Sequence, residues 1–359
     1  MDVFSCCDEH SRADIERWHP IKPKVFPVIG TRSFSYAAGL YSALKCSNHD
    51  MAHSHGIWSY PSLAHFLTTF NKNTPYLVSV HGMLNPWAVH HSRWKKQVAA
   101  LFYEKFHLEK ANCICALCEA EADAIREYGL KNTICVIPNG IDLPETGVPF
   151  PPAPWTGVLP AGKKVLLYLG RIHPIKGIPN LLRAWTMVRD GNREKISDWS
   201  LVIVGWDQAG HEADLKSQVE AAGIGDSVFF IDSQFHEGRV ASYCHADAFV
   251  LPSFSEGLPN VVLEAWAYGL PVIMTPQCNI PEGFASEAAI KVDANPQTIA
   301  RGLLNLLEMS DAERQAMGER GIALVKERFA WAVVASEMKA VYEWVLGGGA
   351  PPASVIWQP

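Results

Sequence analysis

The chain has no glycine before Gly30, no Asp-x-Asp pair, and no apolar run near the roughly 18 residues that span a bilayer. No basic segment leads into an apolar one at its start, so a secretion signal is not expected. Without Asp-x-Asp, a familiar carboxylate arrangement for a divalent metal is missing, and no metal site is expected. A disulfide framework is not expected either, because the nine cysteines are odd in number and several stand singly. Cys113, Cys115 and Cys118 (CICALC) are spaced like a metal cluster, yet no second Cys/His pair follows at ligand spacing. Structural thiols in a reducing cytoplasm are the expectation.

Basic excess is lacking too. Residues 1–140 carry 14 Lys+Arg against 12 Asp+Glu, and the remainder 17 against 25, within a net charge of −6. Neither part suits nucleic acid as a partner.

What is present is alternation. DVFSCC, KVFPVI, DMAHSH, PYLVSVHG, ANCICALC and TICVIPNG read as strands, with helices at YPSLAHFLTTFNK and HSRWKKQVAALFYEKFHLEK between them. A Pro- and Gly-dense stretch at 143–162 reads as a linker. A second alternation follows from KVLLYLGR to AAIKV, and GGGAPPASV reads as a flexible tail. Val/Ile/Leu runs without polar alternation suit parallel strands covered on both faces, so each half is expected to be a doubly wound α/β sheet. The expected domains are 1–142, the linker 143–162, a nucleotide-binding domain at 163–330, and a C-terminal helix and tail at 331–359 that returns to the first domain. Two such domains facing across a cleft would bind ligand at their carboxyl edges.

Two motifs fall at such an edge. In PSFSEGLPNVVLEAWAYGLPVI (252–273) a strand ends, a Gly-bearing loop breaks it, and a helix begins. That geometry aims backbone N–H groups at an anion, with Glu256 in the loop and Glu264 two turns along the helix. In YLGRIHPIKG (168–177), Gly170 ends a strand, and Arg171 and Lys176 follow before the next helix. Two cations there can neutralise a diphosphate, Arg bidentately and Lys as a point charge. A sugar nucleotide fits this combination of anion nest, cations and hydroxyl-accepting carboxylates.

GRIHPIKG and the E-x7-E stretch, with IPNGID (137–142) before the linker and the closing ERFAW and VYEWVLGG, resemble the retaining glycosyltransferases of family 4, of GT-B architecture. The resemblance runs from about residue 50 to the end and implies two Rossmann-like parallel-sheet domains. It also implies metal-independent transfer from a nucleotide-diphosphate sugar to a glycan or lipid-linked acceptor, in surface polysaccharide assembly, with no cofactor. It places Arg171 and Lys176 on the diphosphate and Glu256 on the donor sugar. Gly170 and the loop N–H groups of Gly257, Leu258, Pro259 and Asn260 would line the donor, and Glu264 would bind the ribose. His81, at the end of PYLVSVHG, would face the donor sugar. His53, His55 and Glu119 would lie toward the acceptor, and Cys118 stands where the family has Ser.

Such enzymes usually begin with a strand and a Gly-rich loop, whereas this chain opens on what resembles their second strand. A missing central strand would leave two strand edges unpaired, so either the start lies upstream or the form is shortened and impaired. Two other readings follow: a catalytically impaired sugar-nucleotide-binding protein, and a GT-B sugar-nucleotide epimerase. The helix over 92–110 mixes Arg93, Lys95, Lys96, Lys105 and Lys110 with Trp94, Leu101, Phe102 and Phe106. That mixture suits either packing on its own sheet or peripheral contact with the inner face of a membrane.

Overall fold

The computed structural model describes residues 1–9, 11–90, 93–145, 147, 150–208 and 210–356. The chain divides into two compact units, Met1–Pro138 with Ser336–Pro359, and Asn139–Ala335. The stretch 143–162 thus belongs to the second unit, where Trp155 is buried in the core.

The second unit is built on a six-stranded, wholly parallel sheet. Its strands are β7 (Lys164–Leu169), β8 (Trp199–Gly205), β9 (Val228–Asp232), β10 (Ala248–Leu251), β11 (Val272–Met274) and β12 (Ala289–Lys291), in the order β12-β11-β10-β7-β8-β9. The order runs outward in both directions from the β7–β10 pair, which makes that pair the topological switch point. The unbroken apolar runs KVLLYL, SLVIV and AFVL are buried along nearly their whole length, as strands roofed on both faces must be. Helix Ile178–Gly191 covers one run with Leu181, Leu182, Trp185 and Val188.

In the first unit β3 (Ala52–His55), β4 (Tyr76–Ser79), β5 (Cys113–Ala116) and β6 (Ile134–Val136) are parallel. The supposed flexible tail is a correction: β13 (Val355–Ile356) pairs antiparallel with β6, and Val136 N donates to Ser354 O at 2.8 Å. An apolar Val-Ile pair finding a free strand edge has reason to order. β1 (Phe4–Cys6) and β2 (Lys24–Phe26) form a separate parallel pair. Among the described residues neither β1 nor β3 pairs with a second strand.

The helix read over 92–110 is helical throughout its described residues, though not α-helical throughout. Arg93–Ala99 and Lys105–Lys110 are α-helical, and a π-helical turn, Ala100–Glu104, joins them. Ser92 lies outside the described residues, as do the side chains of Arg93 and Lys95. No helix among the described residues is long and apolar enough to cross a membrane.

Candidate functional site

The loops after β7 and β10 interlock in the second unit. Gly177 (φ +72°) caps helix Ile178–Gly191, and a Cβ there would stand 2.2 Å from Pro252 O, so only glycine permits this approach. Phe254 N donates to Ile175 O at 2.8 Å, tying one loop to the other. This brings Lys176 Nζ to 2.6 Å from Glu256 Oε1, with both side chains 11% exposed. Ser253 Oγ donates to the same oxygen at 2.5 Å. Below, Glu256 N donates to Gln277 O at 3.0 Å, and Asn279 Nδ2 donates to the carbonyls of Glu256 (2.7 Å) and Gly257 (3.1 Å). Thr275 Oγ1 fixes Ser253 by donating to its carbonyl at 2.7 Å.

Arg171 is exposed in the loop after β7, and its Nη1 donates to Gln208 Oε1 at 2.9 Å. Its carbonyl accepts from the buried Tyr168 hydroxyl at 2.7 Å. Burial and then the charge of Glu256 push that phenol upward, while Arg171 opposes them. Gly170, just before Arg171, lies where a Cβ on Gly205 would meet its carbonyl oxygen at 1.9 Å.

Glu264 is no surface residue. It is 8% exposed on helix Asn260–Ala267, where Tyr243 Oη donates to Oε2 at 2.8 Å and Arg239 Nη2 lies 3.0 Å from Oε1. Burial raises its carboxyl, and Arg239 and Tyr243 oppose the rise. Among the loop donors one correction is chemical, since Pro259 has no N–H to offer. Gly257, Leu258 and Asn260 retain theirs, and Asn260 Oδ1 accepts from Asn139 Nδ2 at 3.0 Å.

In the first unit three histidines stack. The His53 and His55 rings lie 4.4 Å apart, and those of His55 and His81 5.2 Å apart, with His55 Nδ1 2.9 Å from His81 Nε2. His53 also bridges Ser79 Oγ (2.8 Å) and Tyr342 Oη (2.7 Å). Burial, then the neighbouring His55 and His81, lowers His53 to about 3. Burial likewise lowers His55 and His81. His81 sits at φ +48°, in left-handed backbone unusual for a residue with a Cβ. Glu121 supports the turn beside it: the Glu121 carboxylate accepts from Gly82 N and, at 2.6 Å, from Leu117 N. Glu119 lies exposed in the first turn of helix Glu119–Glu127.

Sequence reading missed Ser253, Asn279, Arg239, Tyr243 and Glu121. Arg239 and Tyr243 carried a weak signal, being four apart on one helical face. The thiols lie together, with Cys115 Sγ 3.1 Å from Cys135 Sγ, and no group of three or more His, Cys, Asp or Glu among the described residues could hold a metal ion.

Two Rossmann-like units, one with its ionic cluster at a switch point, define the GT-B class. A solved structure of Anabaena HepE in complex with UDP and glucose is similar in fold, with a TM-score of 0.74 and 17% identity over 94% of this chain and 90% of that one. The description "Glycosyltransferase Family 4" matches residues 1–145, and "Glycosyl transferases group 1" matches residues 153–323. The chain belongs to this glycosyltransferase family. Among its relatives, a D-inositol 3-phosphate glycosyltransferase of Arthrobacter is 32% identical over 58% of this chain and 50% of its own length. An alpha-maltose-1-phosphate synthase of Mycobacterium tuberculosis is 28% identical over 86% of this chain and 82% of its own. The chain thus spans half the length of the first relative.

Proposed function

We propose that the protein is a retaining glycosyltransferase moving a sugar from a nucleotide-diphosphate donor to a glycan or lipid-linked acceptor. The observation that carries this is the Lys176–Glu256 pair at 2.6 Å, seated at the β7–β10 switch point with Arg171 in the same loop as Lys176. Arg171 and Lys176 bind the diphosphate and offset the charge that grows on it as the bond to the sugar breaks. Glu256, held by Ser253 and Lys176, accepts from a donor-sugar hydroxyl. Glu264 meets the ribose from its anchorage on Arg239 and Tyr243. The acceptor oxygen bonds the anomeric carbon on the face the phosphate leaves, and its proton passes to a departing phosphate oxygen. Roles for His81, His53, His55 and Glu119 belong to the same proposal and rest on their places near the carboxyl ends of β3, β4 and β5.

UDP in the similar fold supports a nucleotide-sugar donor. Surface polysaccharide assembly rests on the sequence resemblance alone, since the relatives are named for inositol phosphate and maltose 1-phosphate. A cytoplasmic setting accords with free thiols.

A thermal-shift screen of GDP-, UDP- and dTDP-sugars tests the donor, because a ligand bound only by the native state raises its melting temperature. One class is expected to stabilise the chain and to be consumed when acceptor is present. The reading fails if none stabilises it, or if the Arg171→Ala, Lys176→Ala and Glu256→Ala variants all turn over donor at the unaltered rate.

A further inference from the structure

A surface helix usually turns its apolar face inward and its polar face out, and residues 93–110 depart from this on both faces. Here the face toward the body of the unit buries Glu104 and His107 completely, alongside the apolar Leu108 and Tyr103. The Glu104 carboxylate accepts from Trp58 N at 2.7 Å and from Ser62 Oγ at 2.6 Å, with His107 Nδ1 at 2.9 Å. His107 Nε2 continues to His65 Nδ1 at 3.1 Å. The outward face carries Trp94 (66% exposed), Val98 (48%), Leu101 (74%), Phe102 (73%) and Phe106 (53%). The π-helical turn produces this, because it sets Tyr103 and Glu104 inward and leaves Leu101 and Phe102 outward.

Helix Tyr60–Lys72 packs against the inward side of this segment and carries an exposed ring of its own. Phe70 is 62% exposed there, and its ring lies 5.5 Å from that of Phe66, which lies 5.8 Å from His107. Packing on the unit's own sheet therefore does not account for these aromatic side chains, and an exposed apolar surface of this extent marks an interaction site. Its border is basic: Lys105 and Lys110 are exposed alongside, with the exposed Glu109 3.8 Å from Lys105. The other carboxylate of the segment, Glu104, is buried and offsets nothing outside.

We propose that this face docks on an anionic lipid bilayer. Leu101, Phe102 and Phe106 enter the boundary between headgroups and acyl chains, and Lys105 and Lys110 meet lipid phosphates. Charge complementarity selects this occupant. A second copy on the same face would bring four lysines, Lys105 and Lys110 from each, against only two exposed carboxylates, one Glu109 from each. The segment lies on the membrane rather than crossing it, since no described helix is long and apolar enough to span. The inference goes beyond glycosyl transfer and does not depend on it.

The test is co-sedimentation of the full chain with vesicles of equal parts phosphatidylglycerol and phosphatidylcholine, and with phosphatidylcholine alone. The unaltered chain is expected to sediment with the anionic vesicles, less so at high salt. L101S/F102S/F106S and K105E/K110E are each expected to bind about tenfold less. Circular dichroism checks that both variants fold, and the charge variant still decides the matter if the apolar one does not. The proposal is overturned if the unaltered chain stays in the supernatant, or if folded variants bind as it does. It is equally overturned if L101S/F102S/F106S converts a dimer to a monomer while vesicle binding is absent. Donor-induced thermal shifts are expected to persist in both variants, so failure here and failure of the transferase reading are separately visible.

Discussion

Lys176 Nζ and Glu256 Oε1 lie 2.6 Å apart although 80 positions separate them in the chain. The pair exists because β7 and β10 are neighbours and because Gly177 lets the two following loops meet. Lys176→Ala and Glu256→Ala are each expected to reduce transfer by about 10²–10³-fold, the cost of removing one electrostatic contact to the transition state. The double variant is expected to lose little more than either single one, because groups acting as a unit are not additive. Initial rates of donor consumption across the four proteins check this, and simple additivity would argue against a joint role.

Gly177→Ala should be costly in a way that Gly157→Ala is not. Both have positive φ (+72° and +80°), but a Cβ at 157 meets nothing within 4 Å, whereas at 177 it meets Pro252 O at 2.2 Å. The expected losses are about 1 kcal/mol at 157 from backbone strain and about 2–3 kcal/mol or more at 177. Denaturant midpoints measure the difference, and donor affinity should fall only for the variant at 177.

Glu121→Ala leaves Gly82 N and Leu117 N without their acceptor beside His81. A loss of about 1–3 kcal/mol is expected for such unsatisfied buried donors. Hydrogen exchange should quicken at both amides, and Glu119→Ala should leave them unchanged.

Acid should weaken the first unit. His53 titrates at about 3 when folded against 6.5 ordinarily, so between those values the unfolded chain binds more protons. Stability is therefore complete above 6.5 and falls as pH drops below it. At pH 5 this residue alone accounts for about 2 kcal/mol. His55 and His81 shift in the same direction, whereas the upward-shifted carboxyl of Glu121 acts oppositely above its ordinary 4.5. Melting temperatures from pH 7 to 5 should decline, and less steeply for His53→Gln.

The alternation of apolar runs with helices was legible from the residues alone, because strands roofed on both faces cannot afford polar positions. That Lys176 and Glu256 fall at one sheet edge was likewise legible, since each stands in a loop just beyond a strand, and the structure pairs them. The tail strand was not legible, because Val355 and Ile356 order only where β6 leaves an edge. Glu121 was not legible either, as helical phase near a cap depends on where the helix starts. Residues 93–110 show the division most plainly. Their sequence determined an amphipathic, basic segment, but its apolar side could equally have turned inward. Only the tertiary structure decided that Glu104 and His107 go inside, because Trp58, Ser62 and His65 are there to satisfy them, and this left Leu101, Phe102 and Phe106 facing out.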